Sequence, residues 1–487
     1  MVVIGTGPTG AVAARALVQA GIAVTVLEAG SRESARGFIL RGAGLTLARK
    51  RRELPPQSAW NVPPGGPSAA WFAEYSAGGL SNHWTGAVPR YAPSDFTEGE
   101  ALGPEFRWPV SYADLEPHYA RIEELLHIVG GGEDVPSMPA GHVSHKLHLP
   151  PDWQTIDGRA RKQGRGVAVL PLSYMGGATA SASGTPFNSY VRLLDGLPRT
   201  PRFEIRFRAR VIRLEWSGEK RRVTRAIYVD DATGLEHAVE ADHFVLAAGP
   251  LFSARILLES ACNDFAQGLG NVEGVLGAYL HDHPYGKLEL RTEQPLSIFP
   301  PLCVTRRALA SSEPLRAAQA VLWSSTGARV KSWARLTFDR SSAIGFNFFG
   351  THPPEKKHRL RLLPDEPDEK GRPGIALDFA LDAPMVRTLE ETRDELLGLI
   401  HESGFKSQTL VWEVVPAGTS FHYGGTVRMH AEPRFGMLDG FNRLHAVPNV
   451  RVVDASAFTT GPEKNPTLTA MALASRSAEE LAASLRR

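Results

Sequence analysis

Three glycines near the N-terminus, in the run Gly5-Thr6-Gly7-Pro8-Thr9-Gly10, stand at the spacing that lets a polypeptide backbone approach a phosphate. Such a run alone is weak evidence, so its neighbours decide. The apolar Val2-Val3-Ile4 before it reads as a buried strand, and the small-residue run Ala11 to Ala20 after it reads as a helix that Gly21 stops. Ile22 to Leu27 then forms a second strand ending at Glu28, at the distance of roughly 20 residues where an acidic side chain meets ribose hydroxyls. In this setting Gly5 makes the tight turn, Gly7 leaves room for a pyrophosphate, and Gly10 permits close packing of helix on strand. Pro8 costs nothing at a helix start, where the free N–H groups and the positive helix end favour a phosphate. These residues point to an adenine dinucleotide and do not separate FAD from NAD.

Other residues could also do chemistry. His422, in His-Tyr-Gly-Gly-Thr, has the neutral imidazole that suits proton abstraction near neutral pH. It is one of 16 His, most of which are expected to be structural. His281 and His283, in His-Asp-His, lack a third convergent metal ligand and are read as structural. The basic run Arg49 to Arg52 is read as a solvated helix face. Trp71, Trp84, Trp108 and Trp153 could stack on sugar rings, although aromatic residues more often fill a core.

The elements that must hold these residues follow from patterning. After the N-terminal βαβ unit, short strands are expected at Phe203 to Phe207, Val211 to Trp216, Arg225 to Val229 and Phe244 to Ala248, as small antiparallel strands returning to a buried one. Pro466 to Arg487 carries Leu468, Met471, Ala472 and Ser475 at helical spacing and predicts a closing helix. The stretches Pro63 to Pro67, Gly130 to Pro139, Pro150 to Gly184 and Pro353 to Pro373 are rich in turn formers and read as loops or lids.

Composition sets the limits. A chain of 487 residues implies two or more packed units, and 43% hydrophobic with 22% charged residues argues against disorder. The balance of 54 Lys and Arg against 52 Asp and Glu provides no basic stripe for nucleic acid. Two cysteines, Cys262 and Cys303, exclude a disulfide framework and a Cys-rich metal or iron–sulfur site. No signal-peptide pattern and no apolar run long enough to span a membrane occurs, so a cytoplasmic location is expected. The first strand begins almost at Met1, leaving open whether residues precede it.

Three further segments add to the N-terminal motif: Trp71 to Tyr91 (WFAEYSAGGLSNHWTGAVPRY), Phe421 to His430 (FHYGGTVRMH) and Arg451 to Thr469 (RVVDASAFTTGPEKNPTLT). With Phe244 to Ser260 and Leu280 to Pro284 (LHDHP), they resemble, in order, the glucose–methanol–choline (GMC) oxidoreductases, flavoproteins that oxidise alcohols. Gly79 to Thr85 (GLSNHWT) is most similar to the pyranose 2-oxidase branch and its shorter bacterial relatives, the glycoside 3-oxidases and C-glycoside oxidases.

The resemblance implies an α/β fold: a Rossmann-like FAD-binding domain from residues 1–95, 185–285 and 435–487, and a substrate-binding domain of antiparallel sheet and helices from 96–184 and 286–434. It implies FAD contacts from Gly5, Thr6, Gly7, Pro8, Thr9, Gly10, Glu28, Ala29, Gly78, Gly79, Ser81, Asn82, His83, Trp84, Thr85, Val211, Ala248, Asp454, Asn465 and Thr467. A covalent bond from His83 to the flavin is one implication; a buried His83 bonded to backbone is the alternative, and Asn82 departs from the usual Thr. Asp454 would lie near the ribityl or pyrophosphate, or else serve as a turn cap. His422 matches the catalytic base and Asn465 its partner, whose amide can bind the same substrate oxygen.

The implied reaction oxidises a secondary hydroxyl of a sugar or glycoside, at C2 or C3, with hydride passing to flavin N5 and reoxidation by oxygen or a quinone-like acceptor. A GMC enzyme of a non-sugar alcohol and a non-catalytic flavin-binding sensor or scaffold are the alternatives. Retention of both His422 and Asn465 speaks against the last.

Overall fold

The computed structural model describes residues 1–34, 52–53, 71–173, 187–198, 201–298, 300–306, 314–322, 343–368 and 371–486. The loop expected at Pro63 to Pro67 and the basic run Arg49 to Arg51 lie outside them, and of Arg52 only the backbone is described.

Val2–Ile4 is buried at every position, as a strand covered on both faces must be. It sits in the middle of a five-stranded, wholly parallel sheet ordered Val450–Val452, Phe244–Leu246, Val2–Ile4, Val24–Leu27, Phe203–Arg206. The helix Pro8–Gln19 follows the first strand, its small residues Ala11, Ala13 and Ala14 fully buried, and it packs against the closing helix Thr467–Ser484. Gly21, at φ +82°, occupies the left-handed position that ends the first helix.

Phe203–Arg206 departs from the expectation of a small antiparallel strand. It pairs in parallel with Val24–Leu27 and forms an edge of the five-stranded parallel sheet. The expected antiparallel strands do form beside it as a meander, Ala209–Ser217, Arg222–Asp230 and Glu236–Glu240. The third of these has no apolar face and escapes a search for alternation, being held by its ladder to Arg222–Asp230.

A second sheet has six strands, ordered Ser407–Val415, Tyr285–Thr292, Ala343–Gly350, Ala318–Leu322, Leu302–Val304, Val167–Val169, and every described neighbour in it is antiparallel. Helices Ala383–Glu402 and Pro151–Lys162 cover one face, where Leu389, Leu396, Trp153 and Ile156 meet Leu288, Phe346 and Phe348.

Two expected loops therefore contain regular structure. Pro150 to Gly184 holds the helix Pro151–Lys162, which starts on proline at a tolerated first position and buries Trp153, Ile156 and Ala160 on one stripe. Pro353 to Pro373 holds the strand Arg359–Pro367, paired with Pro373–Asp378. Gly130 to Pro139 is mostly irregular, apart from Gly130 at a strand end and the Val135–Met138 bridge.

The two sheets share an end. The carboxyl ends of the parallel strands, at Gly5, Glu28, Ala248 and Asp454, line a cavity of about 670 Å³. In the second sheet Tyr285 pairs with Val415, so His283, two residues before one strand, and the loop leading to His422, after the other, emerge together.

Candidate active site

The glycines of the first turn have separate jobs. Gly5 stands at φ +102°, and a Cβ there would meet the Ala247 carbonyl oxygen at 2.4 Å. A Cβ on Gly10 would meet the Gly5 carbonyl oxygen at 2.2 Å, so this residue sets helix-to-strand packing and faces away from the cavity lining. A Cβ on Gly7 meets nothing within 4 Å. Gly7 lines the cavity and caps a helix start that no side chain satisfies, with Pro8 at its first turn. A free helix N-terminus opening into a cavity fits a pyrophosphate.

Glu28 also lines the cavity, but its carboxylate is already engaged. It accepts from the Thr6 N–H at 2.9 Å, the Thr6 hydroxyl at 2.5 Å and the Gly30 N–H at 2.8 Å. Burial raises its pKa against these donors. It therefore holds the glycine turn in shape at the wall of the cavity. Thr6, Pro8, Thr9, Ala29, Gly79, Val211, Ala248 and Thr467 share the lining. Arg210, Arg255 and Arg372, which the sequence did not single out, stand at it too. Asp454 does both things considered for it: it lines the cavity, and it caps the turn Ala455–Ala457 through Ser456 N–H at 2.9 Å.

The Gly78 to Thr85 segment is largely tied to protein. Gly78 donates its N–H to Thr6 Oγ1 at 2.9 Å, joining it to the glycine turn. Ser81 donates to the Gly78 carbonyl at 2.6 Å, and Trp84 to the Phe187 carbonyl at 2.8 Å. The Asn82 amide donates to Ala77 and Gly79 carbonyls and accepts from Asn188. His83 Nε2 lies 2.5 Å from Glu74 Oε2, and Thr85 is exposed. Of this segment only Gly79 and Leu80 line the cavity, while Gly78, Ser81, Asn82, His83, Trp84 and Thr85 lie behind it. The pairing of His83 with a carboxylate replaces the backbone bond considered for it.

The two residues expected to carry proton chemistry do meet. Asn465 Nδ2 is 3.1 Å from His422 Nε2, at a distance of 43 residues in sequence. Asn465 stands just before the closing helix, and His422 ends a loop fixed by the buried Asp282. That carboxylate accepts from the Gly418 N–H and the His422 N–H, both at 3.0 Å, and from the Ser420 hydroxyl. Burial raises Asp282 to about 6. Burial alone lowers His422 to about 3, so its imidazole is neutral throughout the neutral range. Gly425, Thr426 and Arg428 support the loop from behind: Gly425 at φ +88° passes against Tyr279, Thr426 donates to the Pro250 carbonyl, and Arg428 lies over the Tyr279 ring at 4.1 Å.

His283 is the residue that the sequence reading set aside. Its Nδ1 lies 3.0 Å from His422 Nδ1, and Phe349 packs on both rings. His281, its neighbour, instead packs against Gly424 and Gly461 and is structural as expected. The His-Asp-His run was a signal, with Asp282 and His283 both serving the loop of His422. A second feature had none: Arg306 contacts Asp95, Glu98 and Glu463, and Lys464 contacts Asp95 and Glu463, all with nearly no solvent exposure. This cluster ties the segment carrying Asn465 to the strand Leu302–Val304 of the second sheet.

The described residues contain no group of three His, Cys, Asp or Glu that could hold a metal ion, and no described helix is long and apolar enough to cross a membrane.

The C-terminal family model of the GMC oxidoreductases matches residues 360–474. A 2-methyl-1,2-propanediol dehydrogenase of Mycolicibacterium austroafricanum is 26% identical over 98% of this chain and 94% of its own. A 6'''-hydroxyparomomycin C oxidase of Streptomyces lividus is 27% identical over 99% and 91%. The crystal structure of a pyridoxine 4-oxidase from Mesorbium loti superposes with a TM-score of 0.69 at 19% identity, covering 98% of each chain, and so shares the fold. The chain is an α/β alcohol oxidoreductase. Its match over residues 360–474 is to the GMC oxidoreductases, a family that is FAD-dependent in general.

Proposed function

We propose that this chain binds FAD in the cavity at the carboxyl ends of the parallel strands and oxidises a secondary hydroxyl of a sugar or glycoside, at C2 or C3, to a ketone. The observation that carries the proposal is the His422–Asn465 pair, since two groups 3.1 Å apart can both reach one substrate oxygen. The cavity supports the cofactor: Gly7 leaves its backbone open, the helix Pro8–Gln19 offers free N–H groups, and Glu28 faces the ribose position.

His422 takes the hydroxyl proton on Nε2, which its neutral state leaves available. Asn465 donates from Nδ2 to the oxygen as negative charge develops there. FAD, when bound, accepts the hydride that leaves the same carbon. Oxygen or a quinone-like acceptor then takes the electrons. His83, already bonded to Glu74 through Nε2, supports FAD held without a covalent link through that nitrogen. Flavin that stays with acid-precipitated protein, and is released by His83→Ala, would reverse that point.

The sugar assignment rests on the Gly79 to Thr85 resemblance and on the paromomycin-oxidising relative. The relative named for a propanediol favours a second reading, oxidation of a small aliphatic alcohol. A panel of sugars, glycosides and diols mixed anaerobically with the FAD-loaded protein tests both. Bleaching of the flavin by a glycoside, with a C2 or C3 ketone identified by NMR, is expected. Bleaching by diols alone would move the assignment to the second reading.

A further inference from the structure

Asn465 reaches the site through a side chain that almost nothing else holds. Among the described residues its amide has one hydrogen-bond partner, the Nε2 of His422, and its Oδ1 is buried with none. The direction of the amide is therefore set by the main chain that carries it. On one side that chain runs into Pro466 and the closing helix Thr467–Ser484, and a residue before proline is confined to extended backbone. The helix packs on Pro8–Gln19, so this side belongs to the half of the molecule built on the parallel sheet.

On the other side stand Glu463 and Lys464, and both side chains enter the buried ion cluster. Lys464 donates from Nζ to Asp95 Oδ2 and to Glu463 Oε1, both at 2.8 Å, and Arg306 donates from Nε to the same Glu463 oxygen at 3.0 Å. Arg306 also reaches Asp95 at 3.1 Å and Glu98 at 2.9 Å, and Glu98 accepts from the Leu315 N–H. Arg306 lies just past the strand Leu302–Val304, in the same sheet whose edge strand Ser407–Val415 leads to His422. The cluster thus joins the main chain before Asn465 to the half of the molecule that carries its partner.

Five buried charges are a costly way to hold a fold together, because well-packed apolar side chains of similar volume often do as well or better. What charged hydrogen bonds add is direction, since each demands its partner at a set distance and angle. We infer that Glu463, Lys464 and Arg306 are positioning residues: they fix the main chain at Asn465 against the sheet that carries His422, and so hold the Asn465 amide where the two groups share one substrate oxygen. The cluster acts through Asn465. A shift of its anchor would leave the amide with no other contact to restore its place.

This inference rests on the reading of His422 as proton acceptor and Asn465 as its partner, and the test keeps the two apart. Glu463→Met with Lys464→Met removes one charge of each sign and leaves Arg306 between Asp95 and Glu98. The paired variant should take up FAD as wild type does and reduce it anaerobically more slowly by roughly ten- to a hundred-fold, the cost of displacing a reacting group by on the order of 1 Å. The loss should fall on kcat with KM little changed, because Asn465 donates as charge develops on the oxygen. On an Asn465→Ala background the same pair should change the rate by no more than about two-fold, since nothing is left for the cluster to place. A crystal structure of the paired variant should show Asn465 Nδ2 beyond hydrogen-bond reach of His422 Nε2. A paired variant at the wild-type rate, one that slows the Asn465→Ala protein by its full factor, or one that keeps the 3.1 Å contact would overturn the inference. An Asn465→Ala protein at the wild-type rate would instead remove the reading beneath it. Should the paired variant fail to fold, Glu98→Gln with Arg306→Met cuts the tie at the sheet end, and the same outcomes decide.

Discussion

Asn465 Nδ2 and His422 Nε2 stand 3.1 Å apart although one residue belongs to the segment opening the closing helix and the other to a loop leaving the antiparallel sheet. The pair exists only where the two sheets meet, and under the proposed function it defines the place of the reacting oxygen. Asn465→Ala removes one donor and leaves the base, and water can partly substitute. The expected result is a reduction of flavin by substrate slower than wild type, by a smaller factor than for loss of His422, with FAD still bound. A variant that no longer takes up FAD would place Asn465 in cofactor binding instead.

The burial of His422 has a consequence for pH. A base must be neutral to act, and with its pKa lowered to about 3 the imidazole stays neutral as pH falls through the usual histidine range. The profile of kcat/KM, which reports free-enzyme groups, should be flat from about pH 8 down to about pH 6.5, below which Asp282, raised to about 6, begins to titrate. An acid limb centred at about 6.5 or above would show that His422 titrates normally.

Stability should move the other way. Burial lowers His281 and His422 to about 3, His118 and His358 to about 4, and His283 and His352 below their usual value. For such groups the unfolded chain binds protons first, so their contribution is whole above the unfolded pKa near 6.5 and is lost as pH falls towards the folded values. Asp282, raised to about 6, works oppositely and begins to offset the loss only below about pH 6. The melting temperature should therefore fall between pH 8 and pH 6. A constant or rising value across that interval would contradict the neutral, buried state of these histidines.

Gly7 and Gly10 should separate binding from folding. Gly7→Val places its side chain where no protein atom lies within 4 Å, so the fold should hold while FAD uptake weakens. Gly10→Val drives a side chain into the Gly5 carbonyl and should destabilise the protein by about 1–3 kcal/mol with or without FAD. Equal FAD affinity in Gly7→Val and wild type would remove the pyrophosphate from this turn.

The parts of this fold legible in the sequence are those built from near neighbours. Val2 to Glu28 spell strand, turn, helix and strand in one stretch, and the structure forms each with its expected packing. The pairing of His422 with Asn465 came from motif resemblance, since no local pattern brings them together. His283 was set aside because in sequence it has only His281 for company, whereas its partner is fixed by the register of Tyr285 against Val415. The buried charges Asp95, Glu98, Arg306, Glu463 and Lys464 are scattered along the chain and look individually like surface residues. The helix Pro151–Lys162 was obscured by its opening prolines and by Gly158, and tertiary burial of Trp153 and Ile156 overrides both.

The central claim is that His422 accepts the substrate proton, and rapid mixing of FAD-loaded His422→Ala protein with a bleaching substrate under anaerobic conditions tests it most directly. Removing the base raises the barrier to alkoxide formation while leaving the flavin in place. Flavin reduction slower than wild type by about 10²–10⁴, with unchanged FAD content, is the predicted result. A His422→Ala protein that keeps its FAD and reduces it at the wild-type rate would contradict the account.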